Sequence, residues 1–263
     1  MRPVRLLAIA GSDSGGGAGI QADIKTASAL GAYAMTAITA VTAQDTTGVG
    51  SIHLVPAAIV VEQIERCLSD IGADTIKIGM LGSREIAENV ASVLARSAKD
   101  IPLIVDPVMV STSGAELADA AVVDVLKSSL FPLASLITPN LPEAERLCGF
   151  PLHVGDDLLR AGKALLALGP RAVLLKGGHG GSNTVTDLLF TPDESPRAYI
   201  AKRVDTKHTH GTGCTLATAI ACGLGEGMLL GDAIQRAHDF VQRAIRAAPG
   251  FGAGSGPIDH LQR

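Results

Sequence analysis

The chain has few aromatic side chains: among its 263 residues there is no tryptophan, and there are only two tyrosines and five phenylalanines. Neither sign of charge is in large excess, since the formal net charge is −4, and the 22 Lys and Arg residues are scattered along the chain. A nucleic-acid-binding surface requires clustered cations interleaved with rings that stack on bases. The composition therefore argues against a nucleic-acid partner.

Long apolar runs are missing as well. No segment approaches the ~18 consecutive apolar residues that a membrane span requires, which argues against a membrane partner. Residues 1–10, MRPVRLLAIA, have the basic start and short apolar core of a signal peptide, but they continue into a glycine-rich turn without a cleavage-like site. We expect them to form a first buried strand of a cytoplasmic protein.

Paired cysteines are absent too. The four cysteines show neither a CxxC pair nor the His–Cys spacing of a metal site. In a chain of this length, that pattern argues against a disulfide framework and indicates a reducing compartment. We expect Cys67, Cys148 and Cys222 to be small buried hydrophobic residues, whereas Cys214 lies in a different setting.

No proline- or serine-rich linker or low-complexity tract divides the chain, so we expect one domain over residues 1–263. Short apolar runs alternate with amphipathic helical patterns such as 61–71 and 232–248. The predicted strands, of which the last two look antiparallel, are Val4–Ala10, Ala34–Val41, Thr75–Ile78, Leu103–Val105, Leu136–Thr138, Ala172–Leu175, Thr184–Phe190 and Pro196–Ala201. This alternation predicts an α/β fold, a three-layer α/β/α sandwich with a mostly parallel central sheet and its ligands at the carboxyl ends of the strands.

Residues 206–214 read TKHTHGTGC and precede an apolar stripe with helical spacing, so a helix is predicted to begin at about Gly213. Gly211 and Gly213 let backbone N–H groups converge, and a helix N-terminus attracts anions. A thiol in this first turn is expected to have its pKa lowered from about 8.5 towards about 3.5–7.5, which would make Cys214 a basic thiolate. The alternative is an ordinary helix entry with a buried cysteine, and spacing alone does not decide between them.

Residues 11–21 read GSDSGGGAGIQ and follow the first predicted strand. They lack the Lys-Ser/Thr ending of a P-loop, and no G-x-G-x-x-G can be drawn through them. The segment still allows a ligand to approach the backbone closely, with Asp23 in the helix that follows. The alternative is a tight strand-to-helix turn followed by a solvated aspartate, which the same residues would also form.

Residues 138–143, TPNLPE, follow another predicted strand. Glu143 could reach a hydrated Mg²⁺ that bridges nucleotide phosphates, whereas Asn140 is better explained as a helix cap. Lys176, in the KGGH segment 176–179, could neutralise phosphate charge or could belong to a surface turn. Gln44, also after a strand, could hydrogen-bond the edge of a heterocycle.

Other polar positions are interpreted more conservatively. Asp106, in DPVM, is expected to be structural, and Met80 to fill the core. His208 and His210 flank the glycine-rich loop and are expected to be loop donors rather than metal ligands. The glycine-rich residues 249–257 are expected to form a frayed tail.

In their order along nearly the whole chain, these segments resemble the bacterial hydroxymethylpyrimidine/phosphomethylpyrimidine kinases of the ribokinase-like superfamily. The matching text is AIAGSDSGGGAGIQADIKT, TAVTAQDTTGV, KIGMLG, VDPVM, LITPNLPEAE, LLKGGH and THGTGCTLA. The resemblance implies a ribokinase-like fold, a homodimer, a small-molecule substrate, ATP and Mg²⁺. It also implies phosphorylation of 4-amino-5-hydroxymethyl-2-methylpyrimidine, and then of its monophosphate, for thiamine biosynthesis.

The resemblance assigns roles to residues that match the family's motifs. The catalytic anion hole, base and phosphate-binding cation would be Gly211, Thr212, Gly213, Cys214 and Lys176. The pyrimidine site would comprise Gly11, Asp23, Gln44, Met80 and Val108. The nucleotide side would comprise Asn140, Glu143, Lys176, Lys207 and Thr209, with Glu143 also on the metal.

The mechanism that follows assigns proton removal from the hydroxymethyl group to the Cys214 thiolate. The backbone amides of the 211–213 loop would hold the transferring phosphoryl group, while Mg²⁺ and Lys176 offset the leaving charge. Two other functions remain open: a pyridoxal kinase, which shares the GTGC run, and a non-catalytic ligand-binding domain. The second would be expected to lose Cys214 or Glu143, and this chain has both.

Overall fold

The computed structural model describes residues 2–111, 114–152, 156–177 and 183–262. In those ranges the strands are β1 Arg5–Asp13, β2 Tyr33–Gln44, β3 Val49–Leu54, β4 Thr75–Ile78, β5 Leu103–Val105, β6 Leu136–Ile137, β7 Val173–Leu175, β8 Thr184–Phe190 and β9 Arg197–Lys202. They form one sheet in the order β3-β2-β1-β4-β5-β6-β7-β8-β9.

The central strands β2, β1, β4, β5, β6 and β7 are parallel, and β3, β8 and β9 are added antiparallel at the two edges. Ala8 of β1 pairs with Thr36 on one side and with Lys77 on the other. The prediction of a mostly parallel sheet with a final antiparallel pair is confirmed. Because parallel strands end at the same edge, the residues that follow them meet there.

Helices cover both faces of this sheet. They are α1 Gly19–Ala29, α2 Ala57–Arg66, α3 Arg84–Ser97, α4 Ala120–Val125, α5 Leu141–Cys148, α6 Asp156–Leu166, α7 Thr212–Gly225 and α8 Leu230–Arg246. Successive strand residues point to opposite faces, so Leu7 joins a core beneath α2 to α6 while Leu6 joins a second core beneath α1, α7 and α8. The three-layer α/β/α prediction is confirmed.

Several boundaries differ from the predicted ones. The edge strand β3 was not predicted, because its mostly exposed residues include Gly50 and lack the continuous apolar run of the buried strands. The predicted 61–71 helix begins earlier, at Ala57, and ends in a π-helical turn over Cys67–Ile71. Strand β1 continues past Ala10 to Asp13, which carries the chain directly to the ligand edge of the sheet.

The glycine-rich segment Pro249–Pro257 is packed, so the expectation of a frayed tail is wrong. The His210 amide donates to the Gly256 carbonyl at 3.1 Å, and the Gly254 amide donates to Thr46 Oγ1 at 3.2 Å. Its glycines permit this close approach, since a Cβ on Gly254 would lie 2.0 Å from the Thr46 carbonyl oxygen.

The cysteines are all free, but only Cys222 is fully buried; Cys67 and Cys148 are partly exposed, contrary to expectation. Across the four described ranges, we find no helix with both the length and the apolar character needed to cross a bilayer.

Candidate active site

A cavity of about 760 Å³ lies at the carboxyl ends of the parallel strands. Its wall includes residues at or just beyond the ends of six strands: Asp13, Gln44, Met80, Asp106, Asn140 and Lys176. These residues are far apart in the sequence, and the common polarity of the strands brings them together. The cavity therefore lies where the alternation of strands and helices predicted a ligand site.

The N-terminus of α7 forms one wall of the cavity. Gly211 caps the helix in the left-handed region at φ +86°, and a Cβ there would lie 1.8 Å from the Gly17 carbonyl oxygen. The first intrahelical hydrogen bond is donated by the Thr215 amide to the Gly211 carbonyl. The preceding amides of Gly213 and Cys214 are therefore available to an anion at the positive end of the helix. The helix begins at Thr212, one residue before the predicted start.

Lys176 faces this loop from the end of β7. Its Nζ lies 2.9 Å from Asp106 Oδ1, and a Cβ on Gly213 would lie 3.3 Å from the same nitrogen. Thr138 Oγ1 also donates to Asp106 Oδ1, at 2.8 Å. Burial lowers the pKa of Lys176, but Asp106 and Glu143 outweigh it and keep the lysine charged. The structure thus places a cation beside the loop, held by the aspartate that was expected to be structural. Gly178 and His179 of the same motif lie outside the described residues.

Glu143 and Asn140 form a capping box at the start of α5. Asn140 Oδ1 accepts from the Glu143 amide at 2.9 Å, and Glu143 Oε2 accepts from the Asn140 amide at 2.8 Å. The capping interpretation of Asn140 is therefore confirmed. Burial raises the pKa of Glu143 to about 7; the Lys176 charge lowers it, and the nearby Asp106 raises it further.

The cavity can accept a hard cation at Glu143. Two buried carboxylates, Glu143 and Asp106, line the cavity, close enough for the Asp106 charge to raise the pKa of Glu143. Within the described ranges, no cluster of three or more His, Cys, Asp or Glu side chains could hold a metal alone. This arrangement fits Mg²⁺, which typically takes one or two carboxylates and completes its shell with water and substrate phosphates.

The cavity also contains four of the five residues assigned to the pyrimidine. Gly11, Gln44, Met80 and Val108 all line the cavity. A Cβ on Gly11 would lie 3.1 Å from Met80 Sδ, so glycine leaves the surface of Met80 open. Gln44 Oε1 accepts from Thr42 Oγ1 at 3.2 Å, which orients the amide at the end of β2.

An Asp13–His210 pair, which the sequence motifs did not single out, lies beside Gln44, whose Nε2 is 3.4 Å from His210 Nε2. Asp13 Oδ2 lies 2.9 Å from His210 Nε2 and also accepts from the Gly17 and Ala18 amides. Burial raises the pKa of Asp13, but these hydrogen bonds outweigh it and the net pKa falls below its ordinary value. A usable signal was present, since an aspartate followed by a glycine run often binds its own downstream amides.

Three sequence-based assignments need correction. Asp23 is fully buried, and it does not line the cavity. Both its carboxylate oxygens bind Lys77 instead, so the assignment of Asp23 to the pyrimidine site is wrong as a direct contact. Lys207 is also outside the cavity wall, where its Nζ donates to the Ala253 carbonyl at 3.1 Å, whereas Thr209 lines the cavity. The expected lowering of the Cys214 pKa is wrong too: burial raises it to about 11, although Lys77 opposes the rise.

Lys77 was not among the residues predicted for the site. It is fully buried on β4 and yet lines the cavity. A lysine inside the apolar run TIKI was the available signal, because a buried charge is retained only where a partner carboxylate meets it.

Comparison with known proteins places this site in a family context. The family model described as phosphomethylpyrimidine kinase matches residues 13–259. A thiamine biosynthesis bifunctional protein ThiED from Geobacter sulfurreducens is 48% identical over 97% of this chain, which spans 52% of that protein's length. The hydroxymethylpyrimidine/phosphomethylpyrimidine kinase of Streptomyces coelicolor is 46% identical over 98% of this chain and 94% of its own length.

Solved structures agree with the fold. A phosphomethylpyrimidine kinase from Clostridium difficile 630 matches with a TM-score of 0.81 at 41% identity, over 92% of this chain and 99% of that one. The pyridoxal kinase of Staphylococcus aureus in complex with AMP-PCP and pyridoxal matches with a TM-score of 0.90 at 32% identity, over 99% and 94% of the two chains. The shared architecture is the ribokinase-like one.

Proposed function

Because the chain belongs to the phosphomethylpyrimidine kinase family, we propose that it transfers phosphate from ATP to hydroxymethylpyrimidine and then to the monophosphate. The single observation that carries this proposal is the shared cavity. The amides at the start of α7 line this cavity with Lys176 beside them, and Gln44 lines the same cavity. This arrangement offers one position for a phosphoryl group and another for a hydrogen-bonding ring.

The residues of this chain act mainly by positioning and by offsetting charge. Gln44 orients the heterocycle so that its hydroxymethyl oxygen faces the phosphoryl group. The Gly213 and Cys214 amides hold the phosphoryl oxygens, and Lys176 offsets the charge that develops on the leaving phosphate. Cys214 takes the hydroxyl proton during the first transfer, through a thiolate that the raised pKa makes a minor form of this side chain at neutral pH.

Glu143 would hold a magnesium ion, which supplies charge neutralisation between the nucleotide phosphates when it is bound. The capping box fixes the carboxylate of Glu143, and its burial makes a cationic partner favourable. The ATP site is supported by the AMP-PCP complex of the structurally similar pyridoxal kinase.

Pyridoxal kinase activity is the second candidate, favoured by the close structural match to the Staphylococcus aureus enzyme. The Streptomyces coelicolor relative, which is named for the pyrimidine substrate, is more similar in sequence, at 46% identity against 32%. We therefore place the pyrimidine first.

A coupled ADP-release assay tests both candidates. Purified protein is supplied separately with hydroxymethylpyrimidine, its monophosphate and pyridoxal. We expect the two pyrimidines to give the larger kcat/KM values. A larger value for pyridoxal would reverse the assignment, and no ADP release with any of them would favour a non-catalytic binding domain.

The setting of the enzyme belongs to the same proposal. We place it in a reducing cytoplasm, as one domain and as a homodimer. Four free cysteines support the reducing setting. The exposed apolar residues Val41, Ile52 and Leu54 on the edge pair β2–β3 support self-association. Light scattering of the purified protein tests the dimer, and a monomer at all concentrations would contradict it.

A further inference from the structure

Lys77 is a charged side chain inside the central sheet. It lies on β4 between β1 and β5, and it is fully buried. Its Nζ is 2.9 Å from each oxygen of Asp23 on α1, and Asp23 Oδ1 also accepts from Thr218 Oγ1 of α7 at 2.6 Å. Retaining a charge at this depth is expensive unless it is paired, so the pair ties α1, β4 and α7 together.

The pair is asymmetric with respect to the cavity. Lys77 lines the cavity, whereas Asp23 lies behind it. An ammonium has three N–H groups, and in the described part of the chain Asp23 is the sole hydrogen-bond partner of Lys77 Nζ. Space for the ammonium depends on Gly79, because a Cβ there would lie 3.0 Å from Nζ.

Cys214 lies on the same side of α7 as this pair. It precedes Thr218 by four residues, so the two side chains are neighbours one turn apart on one helix face. Since Thr218 donates to Asp23, the face that carries Cys214 is turned towards the Lys77–Asp23 pair. The backbone amide of Gly19 also acts to lower the pKa of the Cys214 thiol.

Charged groups reach Cys214 from several elements. Burial is the largest influence and raises its pKa; Lys77 of β4 lowers it, while Asp23 of α1 and Asp106 after β5 raise it. Lys176, after β7, lies beside the neighbouring Gly213. Lys77 is thus the principal group that favours the thiolate. Burial lowers the pKa of Lys77, but Asp23, Cys214 and Asp106 outweigh it, so Lys77 stays charged and is not itself a base.

We propose that Lys77 is a positioning residue that stabilises the Cys214 thiolate for the first phosphorylation, with Asp23 limiting its effect. This inference rests on the proposed function of Cys214 as proton acceptor. In that step the acceptor O–H bond breaks and its proton goes to Sγ. The oxygen forms a bond to the γ-phosphorus, and the bond from that phosphorus to the β–γ bridging oxygen breaks to release ADP. Lys77 exchanges no proton.

Thiol titration tests the inference without any substrate. Alkylation of Cys214 by iodoacetamide is followed against pH by mass spectrometry of the peptide that contains it. The variants are Asp23→Asn, Lys77→Met and the charge-balanced pair Asp23→Asn/Lys77→Met, with exposed Lys99→Met as the matched control. The double variant leaves no unpaired buried charge, so it keeps the test available if Lys77→Met does not fold.

The expected shifts have opposite signs. Lys77→Met should lower alkylation at neutral pH about tenfold, since a rise of one in the thiol pKa is a factor of ten in thiolate. The double variant should lower alkylation by less, because Asp23, which opposes the thiolate, is removed as well. Asp23→Asn alone should raise alkylation, because the lysine charge is then less neutralised. The proposal would be overturned by unchanged titration curves, or by pKa shifts of the same sign in Asp23→Asn and in Lys77→Met.

Kinetics provides an independent check. If Lys77 acts through Cys214, its replacement in a Cys214→Ala background should add little to the loss in the first phosphorylation. Fully additive losses would mean a structural role and would overturn the proposal. Failure of the wild type to phosphorylate hydroxymethylpyrimidine would instead refute the proposed function, and the alkylation result would stand apart from it.

Discussion

In the proposed mechanism, the two successive phosphorylations make different demands on one side chain, Cys214. The first acceptor is an alcohol, from which a base can remove the proton to a benefit of about 10²–10⁴-fold. The second acceptor is the phosphate just installed, whose second pKa is near ~6, so it is largely dianionic at neutral pH. Only the first transfer therefore needs a base.

We expect Cys214→Ala to reduce kcat/KM for the alcohol far more than for the monophosphate. The two substrates are supplied separately to the wild type and the variant, and the fold-losses are compared. Cys222→Ala is the matched control, because Cys222 lies on the same helix but is buried in the core behind the cavity. A similar loss on both substrates would mean that Cys214 acts through packing or loop geometry.

Replacement of Gln44 should affect the binding of the pyrimidine and the binding of ATP differently. We expect Gln44→Ala to weaken pyrimidine binding by ~1–3 kcal/mol and to leave ATP binding nearly unchanged, because the ring's polar edge loses its partner. Measured KM values for both substrates check this, with Gln235→Ala on the exposed face of α8 as a control. Equal losses in both affinities would remove Gln44 from the substrate side.

Replacement of Lys176 should lower the rate of phosphoryl transfer more than the affinity for ATP. We expect Lys176→Met to lower kcat more than it weakens ATP binding, because its charge is needed most as the leaving phosphate becomes more negative. Steady-state kinetics with ATP varied checks the division between kcat and KM. An unchanged kcat with a raised KM for ATP would make Lys176 a ground-state binder.

At the scale of elements, the entry to α7 depends on a close backbone approach. Gly211 has φ +86°, and a Cβ would lie 1.8 Å from the Gly17 carbonyl oxygen. We expect Gly211→Ala to displace the loop and to reduce both phosphorylations together, with a loss of unfolding free energy beyond the ~1–2 kcal/mol of left-handed strain alone. Kinetics on both substrates and urea unfolding provide the measurements.

Gly227 is the matched control for this prediction. Its φ is +84°, and among the described residues no neighbouring atom lies within 4 Å of the position that an added Cβ would take. Gly227→Ala therefore imposes the same backbone strain without a clash. It should lose stability and keep activity. If both variants kept full activity, the anion loop would not depend on the contact between Gly211 and Gly17.

At the scale of the whole molecule, buried His260 makes stability depend on pH. Burial, with the charges of Lys25 and His210, lowers its pKa from 6.5 to about 4. The unfolded chain therefore binds this proton more tightly than the folded one. The contribution is complete above about pH 6.5 and is lost as the pH falls, by up to about 3 kcal/mol near pH 4.

We expect His260→Gln to flatten the decline in unfolding free energy between about pH 6.5 and 4. Urea unfolding of both proteins across that range measures it, and comparison of slopes separates the titration from any constant loss of packing. Parallel curves would show that His260 does not couple protonation to folding.

Much of this molecule follows from local pattern. Apolar runs such as TIKI and LIV are buried on both faces and therefore mark central parallel strands without reference to the fold. The glycines at 211 and 213, followed by a helical stripe, located the start of α7 to within one residue. Edge strand β3 was not predicted, because a mostly exposed strand has no continuous apolar run.

The sequence by itself determined the α/β alternation, the edge of the sheet where the cavity lies and the glycine-rich entry to α7, because each depends on residues close together in the chain. Only the tertiary structure decided the electrostatics. Lys77 and Asp23 are 54 positions apart and meet only when β4 and α1 pack. Cys214 has a raised pKa rather than a lowered one, because its partial burial disfavours the thiolate more than the charge of Lys77 favours it.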